Sequence, residues 1–149
     1  MLLRAIHSIV ARQSLSIVLY HRVVSNDDLH FGDPLIHEFD WQVDLLSRHF
    51  NLLSLSEAVD RLKADSLPPR AAVITFDDGY RDNYTNALPV LIKHKAPASF
   101  FIATDFIDGG CMWNDRIIHS VVKSPNDCLK VRLDKEEVFE LGSVEQRKS

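Results

Sequence analysis

Six consecutive residues, Thr75-Phe76-Asp77-Asp78-Gly79-Tyr80, place two carboxylates side by side where they could do chemistry. They follow Ala71–Phe76 (AAVITF), an apolar run rich in β-formers that predicts a buried strand. In parallel α/β folds, ligands bind beyond the carboxyl ends of the strands. Neighbouring side chains of an extended strand point to opposite faces, but a turn at Gly79 lets both carboxylates converge on one pocket. Adjacent carboxylates repel, and a divalent cation keeps both ionised. One aspartate can then ligate the metal while the other accepts a proton from metal-bound water. Two plainer readings compete. An Asp-Gly hairpin turn needs a second strand directly after Gly79, whereas Tyr80-Arg81-Asp82-Asn83 leads into a helix. The other is a pair of helix-capping carboxylates with no metal.

The elements that must position these residues alternate between strand and helix. An amphipathic helix is expected over residues 1–15, with Leu2, Leu3, Ile6, Ile9 and Val10 on one face. Ser16–Tyr20 (SIVLY) reads as a short buried strand. Phe39, Val43, Leu46 and Phe50 recur at helical spacing, and Asn51–Leu53 reads as a brief strand. Ser56 can cap a helix over Glu57–Ala64 with Ala58, Val59 and Leu62 inward. Past the carboxylates, a helix is expected over Leu88–His94, with Pro89 tolerated in its first turn, and then a buried strand over Ala98–Ala103. Ala71 to Ala103 is thus one β-loop-α-β unit, which implies parallel strands. Trp113–Val122 reads as a helix, Leu129–Leu133 as an exposed strand and Lys135–Leu141 as a weak helix. The fold class is α/β, a partial (β/α) barrel or open sheet. A complete barrel needs roughly 200–250 residues, so 149 residues with three or four strand-helix units read as a part of one. One domain is expected, with its core over 16–113 and an insertion-like segment over 114–149.

TFDDGY is similar to the first motif of the polysaccharide deacetylases, carbohydrate esterase family 4. The similarity continues through Asn86-Ala87-Leu88-Pro89-Val90-Leu91 and Pro97-Ala98-Ser99-Phe100-Phe101-Ile102-Ala103. Upstream, Leu19-Tyr20-His21-Arg22-Val23 resembles the Y-H-x-V opening of a subgroup in which the family's last histidine motif comes first. The resemblance implies a distorted (β/α) barrel that uses a divalent metal, usually zinc, to remove N-acetyl groups from amino-sugar polymers. By position, Asp77 then corresponds to the catalytic base, Asp78 to a metal ligand and the Tyr80 backbone N–H to the oxyanion donor. His21 corresponds to the general acid that protonates the leaving amine. An imidazole with an unperturbed pKa of about 6.5 suits that step. The plainer reading of His21 is a hydrogen-bonded residue at a strand end.

Two departures stand out. The family's second motif, H-x-x-x-H, supplies two zinc ligands. The histidines here are His7, His21, His30, His37, His49, His94 and His119, and no two lie four apart. Catalytic zinc normally has three protein ligands, so Asp78 alone holds it poorly. His94, between Lys93 and Lys95, reads as solvated, and His119 as a helix-face residue, while His30 and His37 lie in a polar loop. The missing pair would lie downstream, so the chain reads as the N-terminal part of a longer enzyme, inactive alone. The smaller departure is Lys95, where the family commonly has a helix-ending glycine. A left-handed cap there costs lysine about 1–2 kcal/mol more than glycine.

Composition narrows the partners. The formal charge of −4 and pI near 5.9 give no global attraction for phosphate backbones, so nucleic acid is not expected. No apolar run approaches the roughly 18 residues of a membrane span. Arg4, His7 and Arg12 interrupt any signal-like centre near the N-terminus, so a cytoplasmic or envelope-associated protein is expected. Cys111 and Cys128 form no C-x-x-C pair, which excludes a cysteine-built zinc finger. The expected partner is an acetylated amino-sugar polymer. A part-barrel exposes strand edges, so self-association is also expected. Rival readings are a non-catalytic glycan-binding module and a magnesium-dependent phosphotransfer domain; the latter lacks a Gly-rich phosphate loop.

Overall fold

In the computed structural model, which describes residues 14–25, 32–126, 128–132, 136–140 and 142, one strand organises the first half of the chain. The elements run β1 (Leu15–Tyr20), α1 (Ile36–His49), β2 (Asn51–Leu52), α2 (Leu55–Lys63) and β3 (Ala71–Phe76). A π turn (Asn83–Ala87), α3 (Leu88–His94) and β4 (Ala98–Phe100) follow. All three partners pair parallel to β3. β1 matches it from Leu15↔Ala71 to Tyr20↔Phe76. On the other edge, β2 pairs with its start through Asn51↔Ala71, and β4 with its end through Phe76↔Phe100. Flanked on both edges, β3 buries all six residues, which is why its sequence is apolar without alternation.

The core lies where α1 and α3 meet this sheet. Phe39 and Val43 of α1, Ile74 and Phe76 of β3, and Val90 and Leu91 of α3 form one buried cluster. Tyr20 stacks on Phe76 at 5.4 Å and meets Phe39 edge-on at 5.0 Å, while its hydroxyl donates to Gln42 Oε1 at 2.8 Å. Across the α1–α3 seam, Asp40 accepts from Lys93 Nζ at 2.7 Å and pairs with His94 Nε2 at 2.7 Å. The hydrogen bond from Lys93, then that of His94, holds the Asp40 carboxyl below the usual range. This favourable contribution is present above the ordinary carboxylate pKa and is lost as pH falls through the depressed value. His94, expected to be solvated, is largely buried against Asp40 instead.

The α/β class, the parallel β-loop-α-β unit and the strand at 71–76 match the sequence expectation; other details differ. α2 starts at Leu55, and Ser54 rather than Ser56 is its cap: Ser54 Oγ accepts from Glu57 N at 3.3 Å. Only Ala58 of α2 is fully buried, and Leu62 is exposed. Pro89 does lie in the first turn of α3, as expected, but α3 does not start afresh. Helical backbone runs from Arg81, and the π turn directly before α3, with Leu88 N–H bonded to Asn83 O, widens the register where proline cannot donate. β1 and the 98–103 segment are not buried strands. Ile17, Leu19, Phe101 and Ile102 are each half or more exposed, because β1 and β4 are paired on one side only among the described residues. The helix expected over residues 1–15 lies outside the described residues up to residue 13, and Leu15 belongs to β1.

Lys95 ends α3 with φ 52° and ψ 34°, the left-handed conformation that favours glycine. Its N–H bonds to Ile92 O at 3.1 Å, and the Ala96 N–H bonds to Leu91 O at 2.9 Å, so the helix end is satisfied at a conformational cost. Lys95→Gly is therefore expected to stabilise the protein by about 1 kcal/mol, read as a rise of roughly 2–4 °C in Tm. An unchanged or lower Tm would contradict this.

A second compact unit begins at Thr104. It contains a short 3-10 turn (Thr104–Phe106), α4 (Trp113–Val122), β5 (Cys128–Arg132) and β6 (Glu136–Glu140). Within the weak helix expected over Lys135–Leu141, the described residues Glu136–Glu140 form a strand instead. β6 pairs antiparallel with β5, placing Phe139 opposite Leu129 and Glu137 opposite Val131. Pairing with the nearby β5 outweighs the helix preference of a lysine-glutamate run.

Candidate active site

The backbone of β3 turns sharply as soon as its last residue is paired. Asp77 N–H still bonds to Tyr20 O of β1 at 3.0 Å. Gly79 N–H then folds back to Asp77 O at 2.9 Å, closing a three-residue turn centred on Asp78. Asp78 has φ 72° and Gly79 φ 73°. A non-glycine residue in that region stores strain of order 1–3 kcal/mol, a cost common at functional sites. The turn is held from β4's side as well: Ala103 N–H bonds to Asp78 O at 3.3 Å. A Cβ built on Gly79 would lie 2.9 Å from Ile102 Cδ1 and 3.3 Å from Ile102 Cα. Only glycine fits there.

His21 leaves β1 from the same end of the sheet. Tyr20 pairs with Phe76, so His21 and Asp77 are the first residues beyond two adjacent, in-register parallel strands. The sequence-expected residues therefore share one site edge: Asp77, Asp78 and Tyr80 after β3, and His21 after β1. Asp77, Asp78 and Tyr80 are partly buried, and His21 is exposed. His37 lies in the first turn of α1, beside Asp40 and Lys93 in the α1–α3 cleft, rather than in the polar loop. His30 lies outside the described residues.

Sequence reading missed the residues that tie the two strand ends together. Arg22 Nε and an Nη donate to Asp82 Oδ2, both at 2.8 Å, and its guanidinium lies 4.9 Å from the centre of the Tyr80 ring. Val23 N–H donates to Asp82 Oδ1 at 3.3 Å, and Asn86 Nδ2 donates to Val23 O at 2.7 Å. Burial pushes the Asp82 carboxyl up, and the hydrogen bond and charge of Arg22 oppose it. In the π turn, Asn83 is enclosed with neither side-chain polar atom hydrogen-bonded among the described residues.

The donor set does not complete a zinc site. Among the described residues, no three histidine, cysteine, aspartate or glutamate side chains are grouped to hold a metal. Asp78 can supply one ligand; three are needed. By their chemistry, the carboxylate of Asp77 and the imidazole of His21 are groups at this edge capable of exchanging protons.

Comparison with known proteins adds context. Residues 64–128 match the family described as polysaccharide deacetylase. A Bacillus subtilis protein assigned as a polysaccharide deacetylase is 37% identical over 90 residues, covering 59% of this chain and 31% of the relative. The poly-β-1,6-N-acetyl-D-glucosamine N-deacetylase of Staphylococcus epidermidis is 32% identical over 102 residues, covering 59% of this chain and 35% of its own length. The solved structure of IcaB from Ammonifex degensii superimposes with a TM-score of 0.54 at 34% identity, over 60% of this chain and 38% of that one. The chain spans about a third of the length of the curated relatives it matches. No helix among the described residues is long and apolar enough to cross a membrane.

Proposed function

We propose that this chain is the N-terminal region of a polysaccharide deacetylase domain and that it contributes the acid-base half of an enzyme that removes N-acetyl groups from an amino-sugar polymer. The observation that carries the reading is the strained Asp77-Asp78-Gly79 turn at the end of β3, with His21 at the matching end of β1. Asp77 takes a proton from the attacking water, and the backbone N–H of Tyr80 steadies the oxyanion of the tetrahedral intermediate. His21 protonates the departing amine. An amide needs that proton, because without it the nitrogen would have to leave as an anion, whereas with it a neutral amine departs. Asp78 is assigned as one ligand of a divalent metal, zinc by family resemblance, whose other donors lie outside the described residues.

The test is acetate release from acetylated amino-sugar oligomers with added zinc or cobalt, using protein from its native source whose intact mass is measured on the same sample. A chain longer than 149 residues, carrying H-x-x-x-H and releasing acetate until a chelator is added, is the expected result. A 149-residue chain that releases none, yet binds glycan oligomers in calorimetry regardless of chelator, would replace this reading with a binding module. The exposed apolar residues of β1 and of the 101–102 segment support self-association of the 149-residue chain. Sizing chromatography is expected to show species larger than a monomer; a sharp monomer peak with a cooperative melt would contradict that.

A further inference from the structure

The segment after β1 is held by side chains from the turn that follows the carboxylates. We propose that Asp82 and Asn86 are positioning residues that fix the backbone at Val23 and so place His21 beside the Asp77–Asp78 turn. The inference rests on the role given to His21 above. Three contacts carry it. Asp82 Oδ1 accepts the Val23 N–H, and Asp82 Oδ2 accepts the Arg22 guanidinium. Asn86 Nδ2 donates to the Val23 carbonyl. Both polar groups of the Val23 peptide backbone are thus taken by side chains about 60 positions away in sequence. The Val23 side chain is fully buried in the core, so the segment has an apolar anchor and a polar one.

This arrangement has a geometric consequence. A strand end is normally free to fray, because its pairing partner has run out. His21 stands at such an end and is exposed. Its main chain lies between Tyr20, paired to β3, and Arg22 and Val23, clamped to Asp82. Two fixed points on either side leave the imidazole only its own side-chain rotations. Asp82 and Asn86 lie one helical turn apart, which aims both at the same segment. Tyr80 adds its ring beneath the Arg22 guanidinium, linking the clamp to the last residue of the TFDDGY motif.

The clamp is tested by amide hydrogen exchange and by kinetics on the same variants. In Asp82→Ala, the Val23 amide is expected to exchange at least tenfold faster, with β3 amides unchanged. Asp82→Asn keeps one acceptor oxygen and is expected to retain part of the protection. Asn86→Ala removes the second contact without leaving a buried charge unpaired, so it remains informative if Asp82→Ala fails to fold. In the acetate-release assay, kcat is expected to fall about 10–100-fold in Asp82→Ala with KM unchanged, since misplacing a catalytic group costs rate rather than binding. Val23 protection that is unchanged in both alanine variants, or that falls equally throughout β3 and α1, would overturn the proposal. His21→Ala separates the two ideas. Full activity in that variant defeats the role of His21, whereas the clamp on Val23 stands or falls on the exchange data alone.

Discussion

Asp77→Asn is expected to lower the rate of acetate release by about 10²–10⁴-fold, the usual size of a general-base contribution, while Tm stays within a degree or two. The assay belongs in a chain that includes an H-x-x-x-H pair. Asparagine keeps the size and shape of the aspartate but cannot accept the proton of the attacking water. The backbone of residue 77 carries its structural role, through its N–H to Tyr20 O and its carbonyl to Gly79 N–H, and neither bond involves the side chain. Stability and activity should therefore separate cleanly. A variant that keeps a tenth or more of the rate would remove Asp77 from the role of base. A large fall in Tm would show instead that its carboxylate holds the turn together.

Gly79→Ala should have the largest effect on stability, roughly 2–5 kcal/mol, measured by urea unfolding. Two costs add. Alanine at φ 73° carries about 1–2 kcal/mol of backbone strain relative to glycine. Its methyl group would also sit 2.9 Å from Ile102 Cδ1, 3.1 Å from Ile102 Cγ2 and 3.3 Å from the Ile102 Cα. A side-chain tip can swing aside, but the Cα cannot without moving the strand exit. The double variant Gly79→Ala, Ile102→Ala should therefore recover part of the loss and no more. Full recovery would mean that side-chain crowding alone excludes alanine. A loss below about 1 kcal/mol would mean that the turn relaxes freely and is not held in its strained form.

What the sequence made legible was what is local and periodic. AAVITF has six apolar or β-branched residues in a row, and a strand flanked on both edges demands that pattern. The pair Asp77-Asp78 was legible because a polar, glycine-containing turn directly after such a strand has few purposes. Lys95 was legible as a strained cap through the resemblance alone, which puts a helix-ending glycine at that position, and its φ of 52° agrees. The cap of α2 was misassigned because Ser54 and Ser56 are chemically equal, and only the helix start distinguishes them. Residues 136–140 favour helix by composition, yet their partner strand β5 decides the outcome. The Arg22–Asp82 contact could not be read from either residue. They stand 60 positions apart, and neither follows a pattern that requires the other. Nor did anything local show that β1 and the residues after β4 would leave large apolar side chains exposed, since burial is a property of neighbours.

The pairing order around β3 bears on how the chain is threaded. Asn51 joins Ala71 after a gap of 20 positions, and Ala98 joins Ile74 after a gap of 24. Leu15 joins Ala71 across 56 positions. Closing the longest of these loops costs about 1 kcal/mol more chain entropy than closing either of the others. β1 carries His21 at its end, so the proposed acid is delivered by the most distant of the three partners. Val24 and Leu35, 11 positions apart, bridge each other within that long loop, so part of it is closed by a contact of its own.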